Sequence, residues 1–128
     1  NAYARVAQAT HGPRDLEAHV LLKAATRFQA IRDDWEQREK DLYEALTYNR
    51  KIWIVFYSAV TREDNPMPVE VRQNILRLAS FVFTHTLKLT AEARPEQLNV
   101  LININRQLAA GLRGRATDDS GQALQQGA

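Results

Sequence analysis

Two asparagines stand where a helix ought to carry apolar side chains. Asn49 interrupts the run Leu42, Leu46, Asn49, Trp53, Phe56, and Asn105 interrupts Leu98, Leu101/Ile102, Asn105, Leu108/Ala109, Leu112. Both runs step by three or four residues, the spacing that brings side chains onto one face of an α-helix. A carboxamide in such a stripe needs hydrogen-bond partners, because burying it without them costs roughly 1–3 kcal/mol. Each Asn is therefore either a pin between packed helices or a group kept for a partner molecule.

The same period runs through most of the chain, and Gly and Pro punctuate it. Residues 1–9 read as a short helix with Tyr3, Val6 and Ala7 inward. Gly12-Pro13 opens a second helix, where Pro suits the first turn and Asp15 favours the helix dipole. Its apolar stripe is Leu16, Val20, Ala24, Phe28, Ile31 and Trp35. A break at Asp33-Asp34 is left open by the pattern: either Asp has Glu36 or Gln37 three residues on, as a capping box requires. A long third helix is expected over 35–61. Asn65-Pro66-Met67-Pro68 is a turn, and a fourth helix follows over 68–90 with Val71, Ile75, Leu78, Val82 and Leu89 on one face, widened by Leu76, Ala79, Phe83 and Leu87. The fifth starts near Pro95-Glu96 and is expected to end at Gly111 or Gly114. No alternating strand pattern competes. The expectation is an all-α fold, a single compact bundle of about five helices over residues 1–114, with a polar, disordered tail over 115–128.

Composition narrows the function classes. The chain of 128 residues is 45% hydrophobic and 25% charged, ordinary values for a globular domain. Its longest apolar run, residues 52–57, falls far short of the ~18 residues of a membrane span. No signal-peptide pattern opens it, so a cytoplasmic protein without membrane insertion is expected. There is no cysteine, hence no disulfide, thiolate metal site or thiol nucleophile. The net charge is +2, with acids crowded at Asp33, Asp34, Glu36, Glu39, Asp41 and Glu44, where Arg38 and Lys40 are the only bases, and the other bases scattered along the chain. No Lys/Arg run appears, which argues against direct nucleic-acid binding. His11, His19 and His85 lack metal-ligand spacing. There is no calcium loop, phosphate-cradling glycine loop or nucleophile signature. We expect a protein that is not an enzyme and takes no cofactor or metal.

The aromatic residues point to binding instead. Trp35, Tyr43, Tyr48, Trp53, Phe56 and Tyr57 all fall in the expected third helix. There Leu42, Leu46, Trp53, Phe56 and Val60 form one face, while Tyr43, Ile54 and Tyr57 form another. A helix apolar on two faces is either central in its bundle or covered by something else, such as a partner helix. Arg72 and Arg106 each sit beside an apolar stripe. Each either packs its stem and exposes its head, or holds a buried carboxamide or a partner's carboxylate. The candidate partner-binding residues are Tyr43, Asn49, Trp53, Ile54, Tyr57, Arg72, Asn105 and Arg106.

Five strings in order carry a family resemblance. Asn49-x-x-x-Trp53 and Ile104-Asn105-Arg106…Gly111-Leu112-x-Gly114 resemble signatures of the FlaF family of flagellar biosynthesis regulators. Ala2-Tyr3, Pro13-Arg14-Asp15-x-Glu17 and Asn65-x-x-Pro68-x-x-Val71-Arg72 match three more. Met67 stands where leucine is usual, Asp15 where glutamate is usual, and Leu108-Ala109 where a larger pair is common. The resemblance implies a protein of flagellar filament biogenesis that binds flagellin, supports its secretion through the export apparatus and works beside the translational regulator FlbT. It implies a chaperone-like mechanism in which an apolar groove shields the amphipathic helices of unassembled flagellin. The alternative is a post-transcriptional regulator acting with FlbT on flagellin mRNA. A homodimeric helical adaptor is a third reading.

Overall fold

Gly12, at φ 146, adopts a backbone conformation that side chains with a Cβ rarely reach, and Pro13 begins helix α1 (Pro13–Asp33) directly after it. The computed structural model describes residues 12–119, which are helices and short connections with no strand among them. The helix expected over residues 1–9 lies outside the described residues. On α1 the buried side chains are Ala18, Leu21, Ala24, Ala25, Phe28 and Ile31. Leu16 and Val20, expected in the stripe, are half-buried flanks. Three alanines in this stripe let another helix approach closely, and the last helix takes that place, running antiparallel to α1.

The unbroken helix expected over 35–61 is not observed. Asp34 leaves helical geometry at φ −134, ψ 51, and neither it nor Asp33 caps a helix through its side chain. A single turn, α2 (Trp35–Arg38), and a 3-10 turn over Glu39–Asp41 then lead into α3 (Leu42–Val60). The reason lies in the side chains. Residues 36–41 are all charged or amide-bearing and all exposed, so no burial holds these turns in α geometry. Half-buried Trp35 is their one apolar anchor.

Asn65 organises the reversal after α3. Its Nδ2 donates to the Ala59 carbonyl at 2.9 Å, and its Oδ1 accepts from the Met67 N–H at 2.9 Å. One side chain thus adds a donor to the Ala59 carbonyl, which also accepts from the Arg62 N–H at 3.3 Å, and fixes the approach to Pro68, which precedes α4 (Val69–Ala91). Met67 is buried, so exchange with leucine conserves volume at this site. On α4 the buried stripe is Ile75, Ala79, Val82, Thr86 and Leu89. Leu87, expected to widen it, is instead 72% exposed.

A 3-10 turn over Pro95–Gln97 starts the last helix, with the Gln97 Oε1 accepting from the Arg94 N–H at 2.7 Å. Helix α5 (Leu98–Asp119) passes both glycines at which it was expected to stop. Neither Gly111 nor Gly114 takes the positive φ of a C-terminal cap, and buried Leu112 anchors the turn between them. Residues 115–119, placed in the tail by the sequence, continue the helix; residues 120–128 lie outside the described residues.

Helices α1, α3 and α5 share a core built around Trp53, Phe28, Leu21, Leu98, Leu101 and Ile102. The α1/α5 pair is the most extensive contact, and α4 rests chiefly on α3. No helix among the described residues is long and apolar enough to cross a membrane.

Candidate functional site

The two asparagines meet. Both are fully buried, and the Asn105 Nδ2 donates to the Asn49 Oδ1 at 2.7 Å. The Trp53 indole Nε1 donates to the Asn105 Oδ1 at 2.9 Å, and the Asn105 Nδ2 also reaches the Leu21 carbonyl at 3.3 Å. The cluster ties α1, α3 and α5 at one point. Its direction follows from the indole, which only donates. Trp53 must face the carboxamide oxygen of Asn105, so the Asn105 amide must face the oxygen of Asn49. The Asn49 Nδ2 is then left at the end of the relay, buried and without an acceptor among the described residues. Spacing explains why α3 supplies two members: Asn49 and Trp53 are four apart, on one helix face.

The candidate residues therefore separate into groups. Asn49, Trp53 and Asn105 lie inside the core, out of reach of a partner while the bundle stays closed. Arg106 is exposed on α5, with its Nη2 donating to the Gln29 Oε1 on α1. Arg72 is half-buried at the start of α4, and its Nε finds no acceptor among the described residues. The pattern Pro13-Arg14-Asp15-x-Glu17 is also accounted for: Arg14 pairs with Glu17 at 2.9 Å, and Asp15 lies 3.8 Å from Arg113 on α5.

Tyr43, Ile54 and Tyr57 form the outward group, at 68%, 42% and 42% exposure. With Thr47 and Arg50 they make a row along α3 at steps of three and four. Beside them on α4 lie Phe83 and Leu87, four residues apart. Tyr57 meets Phe83 edge-on, with ring centroids 6.1 Å apart. Between the rows a groove of about 200 Å³ is lined by Tyr43, Leu46, Thr47, Arg50, Phe83 and Leu87, among others. Arg50 is the one charge among its described lining residues. Sequence reasoning found the α3 row but placed Leu87 in the core; the signal for its exposure was Thr86, which takes the inward position next to it.

Elsewhere the surface offers less chemistry. No group of three or more His, Cys, Asp or Glu side chains comes together among the described residues. The His85 Nε2 bonds the Gln97 carbonyl at 2.9 Å, and the ring stacks on Phe81 at 5.2 Å, so this histidine joins the end of α4 to the turn before α5. Asp64, fully exposed in the α3–α4 connection, is held below the usual carboxylate range by the Arg62 guanidinium, which donates to both of its oxygens at 3.1 Å.

Comparison with known proteins agrees with the signature strings. No curated protein and no solved structure matches the chain. The model of the family described as flagellar protein FlaF matches residues 1–112, which takes in the buried asparagine pair, the Asn65 turn and the whole of the outward groove. The chain belongs to the FlaF family of flagellar proteins.

Proposed function

We propose that this protein binds flagellin before assembly, in a chaperone-like and non-catalytic role, and that the groove between α3 and α4 receives an amphipathic helix of the subunit. The observation that carries this reading is the outward row Tyr43, Ile54, Tyr57 together with Phe83 and Leu87. Large apolar side chains held on two rigid adjacent helices form the kind of surface on which an amphipathic helix lays its own apolar face. Family membership supplies the flagellar context, and an unassembled subunit with amphipathic terminal helices supplies a ligand of the right chemistry. Delivery to the export apparatus, and cooperation with FlbT, would follow from holding the subunit in a secretable state in the cytoplasm.

Calorimetric titration of the full chain with monomeric flagellin, at low and at high salt, tests the reading. Apolar docking predicts 1:1 binding whose affinity survives high salt. Absence of binding at tens of micromolar contradicts it. Affinity for flagellin mRNA that falls steeply with salt, the mark of phosphate contacts, would support the post-transcriptional role instead.

A further inference from the structure

Nothing in the α3/α4 groove answers the charge of Arg50. Among the described residues no hydrogen bond, ion pair or ring contact engages this side chain. Helices α3 and α4 hold one acid each. Glu44 is turned to another side of α3, where it lines a hollow with Arg27 and Arg38. Glu70 lies in the first turn of α4, about 20 Å along the axis from Phe83 at 1.5 Å per residue. Past Tyr43, Leu46 and Thr90 the groove runs on into a second hollow, whose lining includes Glu39 and Glu92. The whole track is thus negative at one end and positive in its middle.

The place of Arg50 in the row gives that charge a consequence. It stands seven residues from Tyr43 and seven from Tyr57, two helical turns or about 10 Å to either side. An apolar helix laid across both tyrosines covers the guanidinium and takes it from water. A charge covered in this way is costly unless a counter-charge meets it. The planar fork of arginine suits a carboxylate, which it can hold through two parallel hydrogen bonds. Thr47, half-buried one turn before Arg50, adds a hydroxyl donor to the same stretch of the groove.

We propose that the helix received by this groove carries a carboxylate, from Asp or Glu, at the centre of its apolar stripe, and that Arg50 pairs with it and sets the register of docking. The inference rests on the flagellin reading of the groove and adds the chemistry by which one segment of the subunit is chosen over others. Apolar contacts alone let an amphipathic helix slide by a turn, whereas a carboxylate meets Arg50 in one register and is repelled by Glu39 and Glu92 at the Tyr43 end.

Calorimetric titration of variants of the full chain with monomeric flagellin tests the pairing. Arg50→Met should weaken binding about fivefold. Arg50→Glu, which sets like charges together, should weaken it by about thirtyfold or more, and both variants should keep a Tm within a few degrees of the parent. Lys51→Glu makes the same change in net charge at an exposed position outside the groove, and should change affinity by less than about twofold. In the Arg50→Glu background, the acids of the amphipathic terminal helices of flagellin are replaced by Lys one at a time; one position should recover most of the lost affinity. Binding by Arg50→Met as tight as the parent's, or tighter, would mean that the guanidinium swings clear to water and would overturn the proposal, as would recovery at no position. Parent binding that Arg50→Glu leaves unchanged removes the carboxylate and keeps the flagellin reading; a parent that does not bind flagellin removes both.

Discussion

Trp53 gives the buried amide cluster its direction, and that direction makes the two asparagines unequal. Asn105 uses both ends of its carboxamide, accepting from the indole and donating to Asn49 and Leu21. Asn49 accepts one bond and carries a buried Nδ2 with no partner among the described residues. Asn105→Ala leaves the indole N–H unsatisfied and opens a cavity, so it should destabilise the fold by about 2–4 kcal/mol. Asn49→Leu conserves volume and removes one buried donor without a partner among the described residues, but takes the Asn49 acceptor from Asn105, which keeps its bond to Leu21; these opposing effects should hold its cost to about 1 kcal/mol. Urea denaturation of the two variants checks both values; equal losses would mean the relay is not polarised as described. That each Asn sits on an apolar stripe was legible in the sequence. That they bond one another was not, because the partners are 56 residues apart and periodicity assigns faces without pairing them. Asp64 provides a separate residue-scale check. Arg62 depresses its pKa, so the pair stabilises the fold above the carboxyl's unfolded pKa, and this contribution disappears as pH falls through the lower folded value. NMR titration should find the Asp64 carboxyl below the ordinary carboxylate range and moved upward by Arg62→Ala.

At the scale of elements, the places where pattern and structure part have local physical causes. The helix start at Pro13, the Asn65 turn and the entry at Pro95 follow from side chains that fit those positions and few others, and the sequence marks each. The turns between Trp35 and Leu42 are different. Six exposed polar residues there are compatible with α geometry and equally with a 3-10 turn, and the apolar phase on either side does not record the change. The glycines of α5 misled in the opposite direction. Glycine marks a helix end only when its φ turns positive, and neither Gly111 nor Gly114 does so. Gly114 has nothing within 4 Å of an added Cβ. Gly114→Ala should therefore stabilise the protein by about 0.5–1 kcal/mol through helix propensity, read as a higher denaturation midpoint at unchanged slope.

Across the whole molecule, α3 separates two tasks by face. One side carries Asn49, Trp53 and Phe56 into the core; the other displays Tyr43, Ile54 and Tyr57 beside Phe83 and Leu87. The sequence showed both faces of α3, but a single chain's periodicity does not say whether a second apolar face meets another helix of the bundle or stays outside. The packing of α4 decides it, since that helix covers the Leu46 edge and leaves the tyrosines exposed. The FlaF signature residues in the described region include the core residues Asn49, Trp53, Asn105 and Leu112 and the turn former Asn65, so family membership is written in part in what holds the bundle together. The outward groove is where a partner would be met. The measurement that tests this division most directly is the affinity of Tyr43→Ala/Tyr57→Ala for monomeric flagellin, taken with its Tm. The account predicts binding weakened tenfold or more, about 1.4 kcal/mol at least, with a Tm within a few degrees of the parent. Unchanged affinity, or loss of folding together with loss of binding, would contradict it.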